Sequence, residues 1–249
     1  MKVEIWSDVV CPWCYIGKRR FEAALAQFPH RDDVEVIYRS FQLDPTAPVN
    51  SGKSVTEMLA QKYGVSLAQA TAMNSRVTGI AAGEGLDYHL EKAQHANTAQ
   101  AHRLLHFAAS KGVQNAVMER VMTAYFSEGE NVGDAETLAR LAAEAGLDAD
   151  EARAVLDGND YADAVRADER RAQMLGITGV PFFVVDERYG VSGAQPSELL
   201  LEALEQAWAE SHPLLTVVGT SEGADACEGD SCALPTEPDA AARAGRDPE

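Results

Sequence analysis

"DVVCPWCYIG", residues 8–17, is the stretch on which the reading of this chain turns. Cys11 and Cys14 stand three positions apart, with Pro12 and Trp13 between them. The other two of the chain's 4 cysteines, Cys227 and Cys232, lie far away near the C-terminus. Upstream, "KVEIW" (2–6) places Val3 and Ile5 on one side and Lys2, Glu4 and Trp6 on the other, the period of a strand. Pro12 suits the first position of a helix, where its fixed φ fits and its missing N–H had no partner anyway. That helix is expected to run through Tyr15, Phe21, Leu25 and Phe28 and to stop near Pro29. "VEVIYRSF" (34–41), rich in β-branched and aromatic residues, reads as a second strand. The first 41 residues therefore predict strand, helix, strand, with the thiol pair opening the helix.

Positions i and i+3 of a helix share a face, so Cys11 and Cys14 are within reach of a disulfide without backbone movement. Cys11 precedes the first turn, where free N–H groups and the helix dipole favour an anion, and its thiolate is the expected nucleophile. Cys14, one turn in, is expected to be the more buried and to resolve a mixed disulfide. Trp13 is read as partly exposed beside Cys11, touching either substrate or only the helix cap. Asp8 lies just before the thiol turn, where a carboxylate would oppose thiolate formation, relay a proton, or merely be a solvated turn residue. These alternatives stand open.

The bulk composition is that of a globular chain. Hydrophobic residues make up 46% and charged residues 24%, enough for a core. The net charge of -18 repels phosphate backbones and anionic lipid, which argues against nucleic acid and membrane surfaces as partners. No apolar run of the roughly 7–15 residues a signal peptide needs stands near the start, and no run of about 20 spans a bilayer. The expectation is a cytoplasmic protein, where a C-x-x-C is more often catalytic or metal-binding than structural.

Beyond the loop "DPTAPVNSG" (44–52), a long alanine-rich region carries capping-box spacings at Ser54/Glu57, Ser66/Gln69 and Asp148/Glu151. Apolar stripes follow at Ala101, Leu104, Leu105, Ala108, then Val117, Val121, Ala124, Tyr125, then Leu138, Leu141, Ala145. Five to seven helices are expected between residues 54 and 175. Strand character returns at "PFFVVD" (181–186) and "YGVSG" (189–193), a hairpin, before an amphipathic helix over 196–210. Phe41, Leu43 and Pro45 are read as packing the junction between sheet and insertion. His102, on a helix over 96–110, is read as a satisfied histidine that packs the insertion onto the core, with tuning of the thiols as the other possibility. Residues 220–249 are acidic and poor in apolar surface, and are expected to be disordered.

The motifs "SDVVCPWCYIGKRRF", "RSFQLDP", "ANTAQAHRL" and "GVPFFVVDERYGVSGAQP" together resemble the FrnE-like branch of the DsbA-like thioredoxin-fold oxidoreductases. The resemblance covers residues 1 to about 218. It implies an α/β thioredoxin fold interrupted by a large all-helical insertion, with thioredoxin parts at 1–43 and 176–219, the insertion at 44–175 and a tail at 220–249. It further implies a thiol–disulfide oxidoreductase with Cys11 as nucleophile, Cys14 as resolving thiol and Pro181 as a cis-proline facing them. The backbone of Val180 is then left to pair with substrate, a form of strand addition. The implied partners are protein or small-molecule disulfides and thiols, with glutathione or a thioredoxin system for recycling. No metal or organic cofactor is expected. The dipeptide here is Pro-Trp, not the Pro-His of periplasmic DsbA, so no histidine sits between the thiols.

Three other readings are carried forward. Kappa-class glutathione transferases and 2-hydroxychromene-2-carboxylate isomerases share the inserted-helix fold but usually have serine at the place of Cys11. Cys227 and Cys232 in "ACEGDSCALP" (226–235) are either passive thiols or an auxiliary redox pair exchanging with Cys11 and Cys14. A flexible link of roughly 15 residues reaches about 21 Å, enough for such a visit. Finally, all four cysteines together allow a zinc-stabilised binding or chaperone-like module.

Overall fold

In the computed structural model, residues 1–213 are described. Cys227, Cys232 and the expected disordered tail lie outside the described residues. Alternation in the first segment produces strand β1 (Lys2–Ser7), followed by helix α1 (Pro12–Gln27) and strand β2 (Glu35–Ser40), each within a residue or two of expectation. β1 and β2 run parallel, with Val3 opposite Val36 and Ile5 opposite Tyr38. The hairpin strands β3 (Phe182–Val185) and β4 (Tyr189–Ser192) complete the sheet in the order β2-β1-β3-β4. β3 is antiparallel to β1, pairing Ile5 with Phe183 and Trp6 with Phe182.

Both faces of β1 are covered, for different reasons. Val3 and Ile5 join Phe183 and Val185 in the core under α1 and the last helix, α9 (Ser197–Ser211). Trp6 points the other way and packs with Ala172, Ile177 and Val184. Glu4, on the Trp6 face, is fully buried and is held by Arg39 at 2.9 Å and Arg171 at 2.8 Å. A buried carboxylate is costly unless paired in this way.

Between β2 and β3 stand seven α-helices: α2 (Val55–Tyr63), α3 (Leu67–Gly83), α4 (Ala99–Ser110), α5 (Gln114–Thr123), α6 (Ala135–Glu144), α7 (Ala149–Asp157) and α8 (Ala162–Met174). Ser54 and Ser66 form full capping boxes with Glu57 and Gln69. At Asp148 only half of the box forms: its side chain accepts the Glu151 N–H, and no reciprocal bond is made. The three apolar stripes are buried as expected, apart from Ala145 at a partly exposed helix end. The α5 stripe runs through a wide π turn at Ala124–Glu128, which turns Tyr125 and Phe126 inward.

The junction reading needs correcting. Phe41 packs against the Trp6 cluster, but Leu43 is 41% exposed and Pro45 is exposed too. The backbone, not an apolar plug, makes this junction, because Leu43 N–H is spent on Asp8 Oδ2 at 2.8 Å.

Two ionic clusters tie the insertion to the thioredoxin part. Asp168 on α8 accepts the Ser40 N–H at 2.9 Å and Arg39 Nη1 at 3.1 Å, with His106 Nε2 at 3.0 Å. Glu119 on α5 receives Lys18 Nζ at 2.7 Å, the Tyr15 hydroxyl at 2.5 Å and the Arg19 guanidinium. The second cluster clamps α1, the helix that the thiols open.

Candidate active site

Cys11 caps α1 in extended conformation, with Pro12 as the first helical residue. Its N–H is given to Asp8 O at 3.1 Å and its carbonyl accepts Cys14 N–H at 3.0 Å, which fixes the turn between the thiols. Both cysteines are free thiols and both are buried, Cys11 at 4% exposure and Cys14 at 2%. The contrast expected in burial is thus slight. Access differs instead: Cys11 lines an open cavity and Cys14 does not.

The Val180–Pro181 peptide bond is cis, and the Val180 carbonyl lies 3.6 Å from Cys11 Sγ, within reach of the thiol proton. The approach is close because α1 carries Gly17 there: a Cβ at that position would stand 2.9 Å from Pro181 Cγ. Cys14 Sγ accepts the N–H of Asp8 at 3.5 Å. Burial pushes the Cys14 thiol well up, and the neighbouring Cys11 adds to this. A raised thiol stays protonated, and a protonated thiol is a poor nucleophile.

Asp8 is not a solvated turn residue. It is 1% exposed, and its Oδ1 lies 3.4 Å from His102 Nε2, itself 1% exposed. The picture of a satisfied histidine also fails, because neither Asp8 Oδ1 nor His102 Nε2 has a hydrogen-bond partner. Buried polar atoms in native interiors are rarely left without a hydrogen bond, and these two face each other. His102 does belong to the insertion, so it brings the helical domain to the back of the thiol turn.

Tyr88, from the loop after α3, donates to Pro12 O at 2.8 Å, inside the C-x-x-C itself. It stacks on Phe126 at 4.6 Å between centroids and near Tyr15 at 6.1 Å. Burial pushes the Tyr15 hydroxyl up to about 12, so it donates to Glu119 as a neutral phenol. Trp13 is 40% exposed and lines the cavity beside Cys11, as does Val180. Sequence reasoning missed Tyr88 and Glu119, whose partners lie 76 and 104 residues away with no local signal. Among the described residues, no cluster of three or more His, Cys, Asp or Glu is placed to hold a metal ion.

The cavity is about 580 Å³, the size of a small-molecule site. Its walls are the thiol turn, Val180 and the insertion from α2 to the π turn. A second cavity of about 500 Å³ lies between α1, β2 and the start of α5, and holds no thiol.

Known proteins match this arrangement. The solved structure of a probable DsbA oxidoreductase from Streptomyces coelicolor is 51% identical, with a TM-score of 0.82, over 95% of this chain and all of that one. An uncharacterized protein of Bacillus subtilis, YwbO, is 28% identical over 81% of this chain and 94% of its own length. The cytosolic disulfide reductase DsbM of Pseudomonas aeruginosa, solved with glutathione, shares the fold at 18% identity and a TM-score of 0.57, over 85% of this chain and 97% of that one. The thiol turn, the helical insertion and the returning hairpin all fall within residues 2–205, the span matched by the family profile, and the chain belongs to the DSBA-like thioredoxin domain family.

Proposed function

We propose that the chain is a cytoplasmic thiol–disulfide oxidoreductase in which Cys11 exchanges with substrate and Cys14 resolves. The observation that carries this is the unequal setting of two free thiols on one helical turn. Cys11 opens to a cavity, while Cys14 sits behind it against the Asp8 N–H. In the reducing direction, Cys11 thiolate attacks one sulfur of a disulfide R–S–S–R. A Cys11–S–R bond forms, and the other half leaves as a thiolate. Cys14 then loses its proton and attacks Cys11 Sγ, closing the intramolecular disulfide and expelling the second thiolate. The dithiol gives up two electrons, and the substrate disulfide takes them. The reverse sequence oxidises a substrate dithiol.

Around these thiols, Val180 O and Trp13 flank the attacking sulfur. The buried Asp8–His102 pair holds the turn and offers an acceptor for the proton Cys14 must lose. Membership in the family and the fold shared with a cytosolic disulfide reductase support this reading. A glutathione-dependent transferase or isomerase is the rival, since the fold of a 2-hydroxychromene-2-carboxylate isomerase aligns with a TM-score of 0.62 at 15% identity. A second thiol directly behind the first favours exchange over transfer.

The test is equilibration of the protein in glutathione redox buffers, followed by acid quenching, thiol trapping and peptide mass spectrometry. A reversible Cys11–Cys14 disulfide with a defined potential is expected. A value near about −120 mV would make the protein an oxidant and one near about −270 mV a reductase. A pair that stays dithiol at every poise, with glutathione held tightly by a Cys11→Ser variant, would replace the proposal by the rival.

A further inference from the structure

The cavity over Cys11 has an apolar floor and a charged wall. Met58 and Leu59 of α2, Val77 of α3, Leu90 and Phe126 make the floor. The charges around it are unevenly matched. Asp44 is engaged by His95 at 3.2 Å and by the Thr46 hydroxyl at 2.7 Å, and Asp8 is buried against Leu43 N–H and His102. Lys62 and Arg76 also line the cavity, and among the described residues neither stands within salt-bridge distance of a carboxylate. In a chain of net charge -18, two cations without a carboxylate partner among the described residues stand on the wall of one apolar pocket, where they favour an anion.

Access sets the other constraint. Cys11 is only 4% exposed, so its sulfur is reached through the cavity and not across an open surface. A space of about 580 Å³ has the size of a small-molecule site and fits a small organic disulfide.

We propose that this cavity selects small disulfides with an apolar body and an anionic end. The apolar body lies on Met58, Leu59 and Val77, the anion meets Lys62 and Arg76, and the sulfur faces Cys11. This substrate class rests on the dithiol reading above. The exchange is the one already written: Cys11 Sγ bonds to the substrate sulfur, the S–S bond breaks, and Cys14 gives up its proton and expels the second thiolate.

Stopped-flow single turnovers of the pre-reduced full-length protein test the idea with two probes. Dithiobis(nitrobenzoate) is an aromatic disulfide carrying carboxylates; dithiodipyridine is aromatic and neutral. Each rate is divided by that of the same probe with dithiothreitol, which removes intrinsic reactivity. The phase belonging to the site is the one lost in Cys11→Ser. For the carboxylated probe, that phase should saturate. A Lys62→Gln/Arg76→Gln variant should raise its half-saturation by at least about threefold, given two partly screened charge pairs. The neutral probe should be indifferent to the variant.

Both substituted side chains are exposed, and an unchanged circular dichroism spectrum checks that the fold is intact. Rates linear in both probes, or a half-saturation the variant leaves unmoved, would overturn the substrate class and leave the dithiol reading standing. If Cys11→Ser removes no phase at all, the dithiol reading itself falls.

Discussion

Glu119→Gln is the substitution that best tests how the insertion holds the redox helix. Burial alone would raise the Glu119 carboxyl, but hydrogen bonds from Arg19, Lys18 and Tyr15 outweigh it and hold it at about 2. Against an ordinary value of 4.5, that corresponds to roughly 3 kcal/mol of preference for the charged form in the folded state. The side chain is 31% exposed, so solvent screening cuts this to about 1.5 kcal/mol. A second cost comes from Lys18, whose side chain is 2% exposed and would be left with Glu22 alone at 2.6 Å. Stranding a buried ammonium on one partner adds about 1 kcal/mol.

The glutamine still accepts the Tyr15 hydroxyl, so the total loss expected is about 2–3 kcal/mol, or roughly 5–10 °C in Tm for a domain of this size. The pH dependence has a definite sign. A carboxyl lowered on folding stabilises fully above its unfolded value and loses that contribution as pH falls toward its folded one. Urea denaturation followed by circular dichroism should therefore show a constant gap between wild type and variant at pH 7 and 5.5. The gap should narrow at pH 3. A gap below about 0.5 kcal/mol at pH 7, or one that widens in acid, would refute the argument.

Three further outcomes are expected. Cys14→Ser should accumulate a stable mixed disulfide on Cys11 with any disulfide substrate, detected by intact mass, because the resolving thiol behind Cys11 is gone. Gly17→Ala should lose about 1 kcal/mol in chemical denaturation. Its new Cβ at 2.9 Å from Pro181 Cγ costs about 1–3 kcal/mol of overpacking against about 1 kcal/mol gained in helix propensity. A stabilised variant would mean that the Pro181 ring yields freely. Asp168→Ala should cost about 3 kcal/mol, since it strands the buried Ser40 N–H and uncouples α8 from β2. Its Asn counterpart should recover part of that loss.

What the sequence shows of this fold is local. Alternation in "KVEIW", Pro12 at a helix start and the serine caps each act within four residues, and the elements they predict are present. The C-x-x-C placed at a helix N-terminus is legible for the same reason. What it hides is pairing across the insertion. Asp8 reads as either buried or solvated until His102 is brought to 3.4 Å, a contact set by how α4 packs and by no residue near Asp8. Likewise nothing near Tyr88 indicates that its hydroxyl will reach Pro12 O. Leu43 illustrates the opposite error. An apolar residue at a junction suggests core, yet its side chain is left on the cavity wall because its backbone is the part that makes the joint.

These cross-insertion contacts explain why the helical domain matters to the chemistry. The thiol turn follows β1, an inner strand of the sheet, and the insertion adds contacts to it from outside the thioredoxin part. Here Tyr88 grips the turn at Pro12, Asp8 joins it to Leu43 and His102, and the Glu119 cluster fixes α1 one turn further along. Three separate parts of the insertion thus bear on the thiol turn and on the helix it opens. Burial at 4% and 2% is the consequence, and burial pushes the Cys14 thiol up. Behind the turn, Asp8 Oδ1 and His102 Nε2 face each other at 3.4 Å without a hydrogen bond. Whatever reaches Cys11 must come through the cavity that the insertion forms, so the element that holds the thiols also chooses what they meet.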